Sequence, residues 1–266
     1  MAKLIQRQVA SKEGPIIPLV AETGGINAMV VDSSALTEQV VTDVVLSAFG
    51  SAGQRCSALR VLFIQEEVAD KTIEMLIGAM QMLNVGNPKW LSTDIGPIID
   101  DAALQLLEQH VSAMKKVAKL LYQIPLESDL NGSYFAPCVF ELETLTQLKQ
   151  EVFGPILHVV RYRRADLDGV IADINELGYG LTFGIHSRIN STIDELAHKI
   201  RAGNIYVNRS TIGAVVGLQP FGGCGLSGTG PKAGGPFYLH RFCRETTVST
   251  DTTAAGGNAS LLTQNE

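Results

Sequence analysis

The fold is decided by Ala28-Met-Val-Val31, by the run from Leu36 to Ala48, and by Arg60-Val-Leu-Phe-Ile-Gln65. The first and the last are short, apolar and rich in β-branched residues, which is typical of buried strands. In the run between them, apolar residues recur at helical spacing. The stretch therefore predicts two parallel strands joined by a helix, the repeating unit of an α/β sheet.

The same alternation continues along the chain as far as Asn208. Further strands are predicted over Ile16–Ala21, Tyr134–Leu142, Ile156–Tyr162, Leu181–Ser187 and Ile205–Asn208. Further helices are predicted over Val68–Leu83, from Asp100 to about Tyr122, over Asp166–Leu177 and over Ser191–Ala202. Strands and helices in this order predict a largely parallel sheet flanked by helices. Beyond Asn208 glycine and proline dominate, so we expect an extended loop there.

Composition and charge exclude several classes of protein. The 266 residues carry 21 Lys+Arg and 27 Asp+Glu, a net charge of −6, which argues against a nucleic-acid partner. The chain has no apolar run long enough for a membrane span, and its first residues do not resemble a signal peptide. The four cysteines are widely spaced and form no metal-binding pattern with the five histidines. These features indicate reduced thiols in the cytoplasm and no metal site.

One dinucleotide-binding motif is present in a context that does not support it. Gly223–Gly228 matches the pattern GxGxxG, which needs a strand before it and a helix after it. Pro220-Phe221 precedes the motif, and Pro231 and further glycines follow it. No helix can begin there, so we predict a shaped loop instead.

Two short motifs are better candidates for chemistry. Glu22-Thr-Gly-Gly25 and Gly53-Gln-Arg-Cys56 each lie where a predicted strand meets a loop or helix, the usual place for active-site residues in α/β folds. Arg55 or Arg60 could stabilise a Cys56 thiolate. From residue type alone, a buried structural cysteine and a surface glutamate remain the alternatives.

These motifs together resemble those of the aldehyde dehydrogenase superfamily, in the same order and at similar spacing. Glu151-Val-Phe-Gly-Pro-Ile156, Asn208 and Pro220-Phe-Gly-Gly223 match further family motifs, so the resemblance covers roughly residues 15–245. The segments 211–220 and 227–236 resemble the branch that oxidises glutamate semialdehyde, which is also called Δ1-pyrroline-5-carboxylate dehydrogenase. The tail around Asn258-Ala-Ser-Leu-Leu262 resembles bifunctional proline utilisation proteins.

The resemblance implies a covalent mechanism. Cys56 would attack the aldehyde carbon of L-glutamate γ-semialdehyde, and a thioester would remain after hydride transfer to NAD. Glu22 would activate the water that hydrolyses this thioester to glutamate. The Cys56 backbone N–H would hold the oxyanion, together with an asparagine from a motif that this chain does not contain. We also expect Cys56 to label faster than the other thiols.

The resemblance also assigns the cofactor and substrate contacts. Glu151 would bind the nicotinamide ribose and Phe153 would pack beside the nicotinamide. Ser57, Gly213 and Ala214 would hold the substrate carboxylate through a hydroxyl and free backbone N–H groups. Without the resemblance, we would interpret Glu151 as a helix-end carboxylate and Phe153 as a core aromatic. Gly213 would be a turn residue.

Family members carry roughly another half-length before these motifs, which implies how this chain divides. Residues 1–14 would be a leader from a missing NAD-binding half, 15–212 the catalytic domain, 213–245 a substrate-anchoring loop with an oligomerisation strand over Tyr238–Arg244, and 246–266 a tail. The missing half would be one partner. A second copy of the chain, packed through that strand, would be another partner.

Several further expectations follow from this division. FAD, the cofactor of the proline dehydrogenase in bifunctional members, would bind outside this chain. The chain alone should show little or no dehydrogenase activity. We expect the cytoplasm as its location, with a peripheral inner-membrane position for a longer parent. A dehydrogenase for another aldehyde and a non-catalytic interaction fragment remain the rival functions.

Overall fold

A computed structural model of the chain describes residues 1–127 and 130–251. The helices are α1 (Ala2–Ala10), α2 (Thr37–Phe49), α3 (Glu66–Gln81), α4 (Asp101–Met114), α5 (Leu167–Glu176) and α6 (Asn190–Lys199). The strands are β1 (Asn27–Val31), β2 (Leu59–Gln65), β3 (Lys119–Gln123), β4 (Cys138–Leu142), β5 (Ile156–Tyr162), β6 (Tyr179–Gly180), β7 (Thr182–His186), β8 (Asn204–Val207) and β9 (Cys224–Gly225).

Seven of the strands form one sheet in the order β3-β4-β5-β2-β1-β7-β8. All neighbouring strands in it run parallel except β3, which pairs antiparallel with β4 at the edge. Every residue of β1 and β2 is buried, as expected for central parallel strands covered on both faces. The predicted α/β fold, with a largely parallel sheet flanked by helices, is confirmed.

The strand predicted over Ile16–Ala21 is wrong. This segment forms no strand in the structure, and Ile16 is fully exposed. Pro15 and Pro18 interrupt its backbone and remove two N–H donors, so the segment cannot complete a ladder. It ends at an isolated bridge between Glu22 and Gly228.

The predicted helix from Asp100 to Tyr122 is shorter than expected. Its start is correct, because the Asp100 carboxylate caps the helix by accepting the Ala103 N–H at 2.7 Å. The helix ends at Met114, and β3 follows it after a short turn. Pairing of β3 with β4 is a contact with a distant part of the chain, and it overrides the local helical preference.

The strand predicted over Tyr238–Arg244 is also wrong. The segment contains a 3-10 turn over Leu239–Phe242 and pairs with no strand among the described residues. Its large apolar side chains Leu239 and Phe242 are exposed, as is Phe237 just before it. The domain boundaries at residues 14, 212 and 245 stay predictions, and the tail motif at Asn258 lies outside the described residues.

Within the described ranges, no helix is both long and apolar enough to cross a lipid bilayer. The longest helix, α3, has 16 residues and faces the core with one side only.

Substitution of Leu107 tests how α4 packs against the segment before β5. Leu107 is buried and packs against Gly154, whereas its neighbour Leu106 is exposed. Leu107→Ala should lower the free energy of unfolding by about 2–5 kcal/mol, because it leaves a cavity. Leu106→Ala should change it by less than about 0.5 kcal/mol. Equal effects in urea titrations of the two variants would contradict this packing.

Candidate active site

Cys56 lies on a tight loop between α2 and β2. Ser51 and Ala52 have positive φ values of 56° and 54°, a conformation that costs about 1–2 kcal/mol in residues other than glycine. Gly53 follows with φ 63°, and a Cβ there would lie only 2.3 Å from the Gly154 carbonyl oxygen. The loop is therefore compact and touches the segment before β5, which brings two of the sequence motifs together.

Asn27 fixes the backbone on either side of the cysteine. Its buried amide donates to the Cys56 carbonyl at 2.6 Å and to the Ala58 carbonyl at 2.8 Å. Its side-chain oxygen accepts the Thr182 N–H at 3.1 Å. The sequence reasoning missed Asn27, although a polar amide at the first position of an apolar strand was a signal for it.

The environment of the Cys56 thiol disfavours its charged form. Burial is the largest cause that raises the pKa of this half-buried thiol, and the carboxylates of Glu151 and Glu22 raise it further. The backbone N–H groups of Cys56 and Ser57 act in the opposite direction. Of the two arginines that could stabilise a thiolate, Arg55 donates to the Ser51 hydroxyl at 2.9 Å and Arg60 is fully buried.

Glu22 is held by the glycine-rich loop that follows β8. The backbone of Thr23 donates to the Ser227 carbonyl at 3.1 Å, and the Thr229 N–H donates to Ala21 at 3.0 Å. The Glu22 carboxylate accepts a hydrogen bond from the Gly223 N–H, and burial raises its pKa. A Cβ at Gly222 would lie 2.9 Å from this carboxylate, so the glycine leaves it room.

The GxGxxG segment is a shaped loop, as the sequence predicts. Gly223–Gly228 includes β9, which pairs antiparallel with β6, and no α-helix begins in the described residues after it. The Ser227 hydroxyl accepts the Gly180 N–H at 3.0 Å. This loop therefore positions Glu22 and does not carry a dinucleotide-binding turn.

Glu151 is the second carboxylate near the thiol. It accepts a hydrogen bond from the Gly25 N–H, and burial raises its pKa although the positive charge of Arg60 opposes this. A Cβ at Gly24 would lie only 1.7 Å from Glu151 Oε2, so this carboxylate fills the space beside the glycine pair after Glu22. Glu151 Oε1 is buried and has no hydrogen-bond partner among the described residues.

Phe153 lies beside the same cluster and is partly exposed. The Arg60 guanidinium lies over its ring, 5.3 Å from the centroid. Phe153 is therefore a surface aromatic in this chain, which contradicts the alternative that it belongs to the core.

The three residues expected to hold a substrate carboxylate lie in two segments that touch. The buried Ser57 accepts a hydrogen bond from the Thr211 hydroxyl through its carbonyl oxygen, at 3.0 Å. Gly213 is exposed with φ 77°, and Ala214 next to it is half-buried. Thr211, which the sequence reasoning did not single out, is thus the link between Ser57 and the Gly213 loop.

Two cavities adjoin at Glu151. One, of about 650 Å³, has Glu22, Gly24 and Glu151 in its wall together with the start of α1. The other, of about 400 Å³, is lined by α4 and by the segment that carries Glu151 and Phe153. Both predicted carboxylates therefore face space that a ligand can enter.

The remaining cysteines are free and lie elsewhere. Cys138 is buried in β4, where burial raises its pKa to about 12, and Cys224 and Cys243 are exposed. No group of three metal-ligating side chains occurs in the part of the chain that the structure describes.

Comparison with known proteins adds family information. Residues 1–248 match the model of the aldehyde dehydrogenase family. The chain is 56% identical over 251 residues to the bifunctional protein PutA of Klebsiella aerogenes, covering 91% of this chain and 19% of that protein. It is 36% identical over 233 residues to a 1-pyrroline-5-carboxylate dehydrogenase of Geobacillus thermodenitrificans, covering 87% of this chain and 45% of that enzyme.

Solved structures agree with this. A crystal structure of a bifunctional proline utilization A protein matches with a TM-score of 0.91 at 57% identity, covering 96% of this chain and 26% of that one. A Thermus 1-pyrroline-5-carboxylate dehydrogenase with bound NAD matches with a TM-score of 0.77 at 33% identity, covering 84% and 43%. The chain thus spans about a fifth of the curated bifunctional relatives and less than half of the single-function ones.

From the sequence we expect Cys56 to label faster than the other thiols. The environment of the thiol in the structure leads us to expect slower labelling instead. Because its pKa is raised, Cys56 should alkylate more slowly than the exposed Cys243 at neutral pH and should gain rate as the pH rises past the ordinary thiol value of 9.0. Iodoacetamide labelling followed by peptide mass spectrometry measures both rates. Faster labelling of Cys56 at neutral pH would contradict the burial that the structure shows.

Proposed function

Because the chain belongs to the aldehyde dehydrogenase family, we propose that it is the catalytic part of an NAD-dependent dehydrogenase that oxidises L-glutamate γ-semialdehyde to glutamate. The observation that carries this proposal is the placement of the Cys56 thiol within the electrostatic influence of two carboxylates, Glu22 and Glu151, each of which faces a cavity. The names of its relatives, which refer to proline utilisation and to 1-pyrroline-5-carboxylate, support this substrate and a role in proline catabolism.

Cys56 would be the nucleophile of the reaction. Asn27 holds the backbone around it from a central strand, so the thiol is presented from a rigid base. Attack on the aldehyde carbon requires loss of the thiol proton, and the raised pKa of Cys56 means that a base has to take it. The neighbouring N–H groups of Cys56 and Ser57 are placed to stabilise negative charge that develops there.

Glu22 would be the general base that activates water for thioester hydrolysis. Glu22 is exposed as a whole, and partial desolvation of its carboxyl raises the pKa above the ordinary value, which makes the carboxylate a stronger base. The hydrogen bond from the Gly223 N–H holds the carboxylate at the wall of the larger cavity. Water in that cavity can reach it without rearrangement of the backbone.

NAD fits the residues on the other side of Glu151. Glu151 Oε1, which is buried and has no hydrogen-bond partner in the part of the chain that the structure describes, is an acceptor suited to a ribose hydroxyl, and the exposed Phe153 ring offers a surface for a flat heterocycle. When bound, NAD accepts a hydride from the substrate carbon. FAD has no assigned site in this chain and would belong to a proline dehydrogenase part of a longer protein.

The substrate carboxylate would be held by Ser57, Gly213 and Ala214. The Thr211 hydrogen bond keeps Ser57 beside the loop that carries the other two. The positive φ of Gly213 and the space around its α-carbon leave the local backbone open to an anion.

The proposal extends to the domain division, the packing partners and the compartment. Residues 15–212 would form the catalytic domain, and the exposed aromatic side chains of the 213–245 segment support packing against a second copy of the chain or against the NAD-binding half. The four free cysteines support a reducing compartment such as the cytoplasm.

An activated ester tests the nucleophile and the base without any cofactor. p-Nitrophenyl acetate should acylate Cys56 and give the thioester directly, and Cys56→Ala should abolish this product at that position. Glu22→Gln should slow hydrolysis of the acylated thiol by about 10²–10⁴-fold, because the base is lost. Acyl groups only on Cys224 or Cys243, or unchanged hydrolysis in Glu22→Gln, would leave the non-catalytic fragment as the better hypothesis.

Dehydrogenase activity of the 266 residues alone is a separate question. We expect little or no NADH formation from glutamate semialdehyde, because Glu151 and Phe153 supply only one side of a cofactor site. Absorbance of NADH with semialdehyde, and with an uncharged aldehyde of similar length, checks this. Robust turnover would contradict it, and equal turnover of both aldehydes would favour the rival with another substrate.

A further inference from the structure

Arg60 is a fully buried arginine whose guanidinium joins two loop segments through three backbone carbonyls. Nη1 donates to the Gly53 carbonyl at 2.8 Å and to the Gly154 carbonyl at 3.0 Å, and Nη2 donates to the Arg55 carbonyl at 3.1 Å. Two of these acceptors belong to the loop that carries Cys56, and the third belongs to the segment before β5. A single cation therefore ties the nucleophile loop to the segment of Glu151 and Phe153.

The same guanidinium contacts both proposed cofactor residues. Nη2 lies 3.6 Å from Glu151 Oε1, which is ion-pair distance, and the guanidinium covers the Phe153 ring. The pairing is incomplete, because Arg60 Nε and Glu151 Oε1 are both buried without a hydrogen-bond partner among the described residues. A carboxylate in this position can accept a further donor without losing its ion pair.

The backbone of Arg60 is fixed from the opposite side of the sheet by two histidines. His158 Nδ1 lies 3.0 Å from the Arg60 carbonyl oxygen, and His158 Nε2 lies 3.0 Å from His110 Nε2. Burial lowers the pKa of His158 to about 3, so its ring is neutral and donates from Nδ1 to this carbonyl. His158 Nε2 then accepts from His110, and the chain of hydrogen bonds leaves Arg60 little freedom to move.

We propose that Arg60 is a positioning residue that couples the Cys56 loop to the ligand-binding carboxylate of Glu151. It holds the carbonyls of Gly53, Arg55 and Gly154 in one arrangement and places its positive charge 3.6 Å from the Glu151 carboxylate. The inference rests on the proposed role of Cys56 as nucleophile and assigns a residue that the family motifs do not include.

Arg60 and Glu151 should shift the pKa of the Cys56 thiol in opposite directions. The Arg60 charge favours the Cys56 thiolate, whereas the Glu151 carboxylate disfavours it. Removal of the arginine charge takes away one influence that favours the thiolate and leaves the Glu151 carboxylate without its ion-pair partner, so the thiol should lose its proton at higher pH. Removal of the carboxylate charge should act in the opposite direction.

The test is the pH dependence of Cys56 alkylation by iodoacetamide in the full 266-residue chain, followed by peptide mass spectrometry. Arg60→Met should move the midpoint up by about one pH unit, the size typical of a lost neighbouring charge. Arg60→Lys keeps the charge but loses the planar fork, so the midpoint should stay near that of the unchanged chain. Arg163→Met, at an exposed arginine, should leave the profile unchanged and serves as the matched control.

Glu151→Gln keeps Arg60 in place and provides an independent arm. It should move the midpoint of Cys56 alkylation down, and the double variant Arg60→Met/Glu151→Gln should shift less than Arg60→Met alone. A folded Arg60→Met protein with an unchanged midpoint overturns the proposal. If Arg60→Met does not fold, Arg60→Gln takes its place, and an unchanged midpoint in that variant overturns the proposal.

A different measurement, acyl transfer to Cys56, tests the proposed function. Loss of acyl transfer to Cys56 from the activated ester would remove Cys56 as nucleophile, while the shifts of the alkylation profile would still report whether Arg60 couples thiol and carboxylate. Normal acyl transfer with no shift in any variant would remove the coupling alone.

Discussion

The site depends on the burial of one positive charge. Taking a guanidinium out of water costs several kcal/mol unless hydrogen bonds and an opposite charge replace the lost hydration. Arg60 recovers part of that cost from three backbone carbonyls, one carboxylate and one aromatic ring. These partners lie in the loop before β2 and in the segment before β5, so one buried charge holds the two together.

The sheet supplies the rigid base for this arrangement. β2 carries Arg60, β1 begins with Asn27, and β5 follows directly after the segment of Glu151. Because these strands are neighbours in the sheet and run parallel, the loops that precede them meet at the amino-terminal edge, although they are far apart in sequence. Sites in α/β sheets usually lie at the carboxyl-terminal edge, so this placement differs from the sequence expectation. The strand order therefore determines which motifs can form a common site.

Much of the fold could be predicted because its signals are local. Apolar periodicity within one segment gave β2, β5, α5 and the capped start of α4 with small errors at their ends. The errors arose where distant contacts decide the outcome. β3 exists because it pairs with β4, and the segment around Leu239 lacks a partner strand in the described residues, which no local pattern reveals. The error at Ile16 is different, because Pro15 and Pro18 were a local signal against a strand.

The candidate site divides in the same way. Glu22 and Cys56 belong to short motifs, so the sequence was sufficient to single them out. Asn27 and Thr211 act through backbone carbonyls that only the folded chain brings within reach, and their residue types are common. Arg60 was noticed as a charge near the thiol, but its contacts with Gly154 and Glu151 depend on the pairing of β2 with β5.

The pairing of the Glu22 segment with the glycine-rich loop has a consequence for how the site assembles. Thr23 and Leu226 are 203 residues apart in sequence, whereas Asn27 and Cys56 are separated by only 29. Contacts between distant parts of a chain carry the larger loop-closure entropy and form later on average. A partly folded molecule can thus hold the Cys56 thiol in a nearly native loop before the Glu22 carboxylate reaches the site. Placement of Glu22 is then a marker of complete folding.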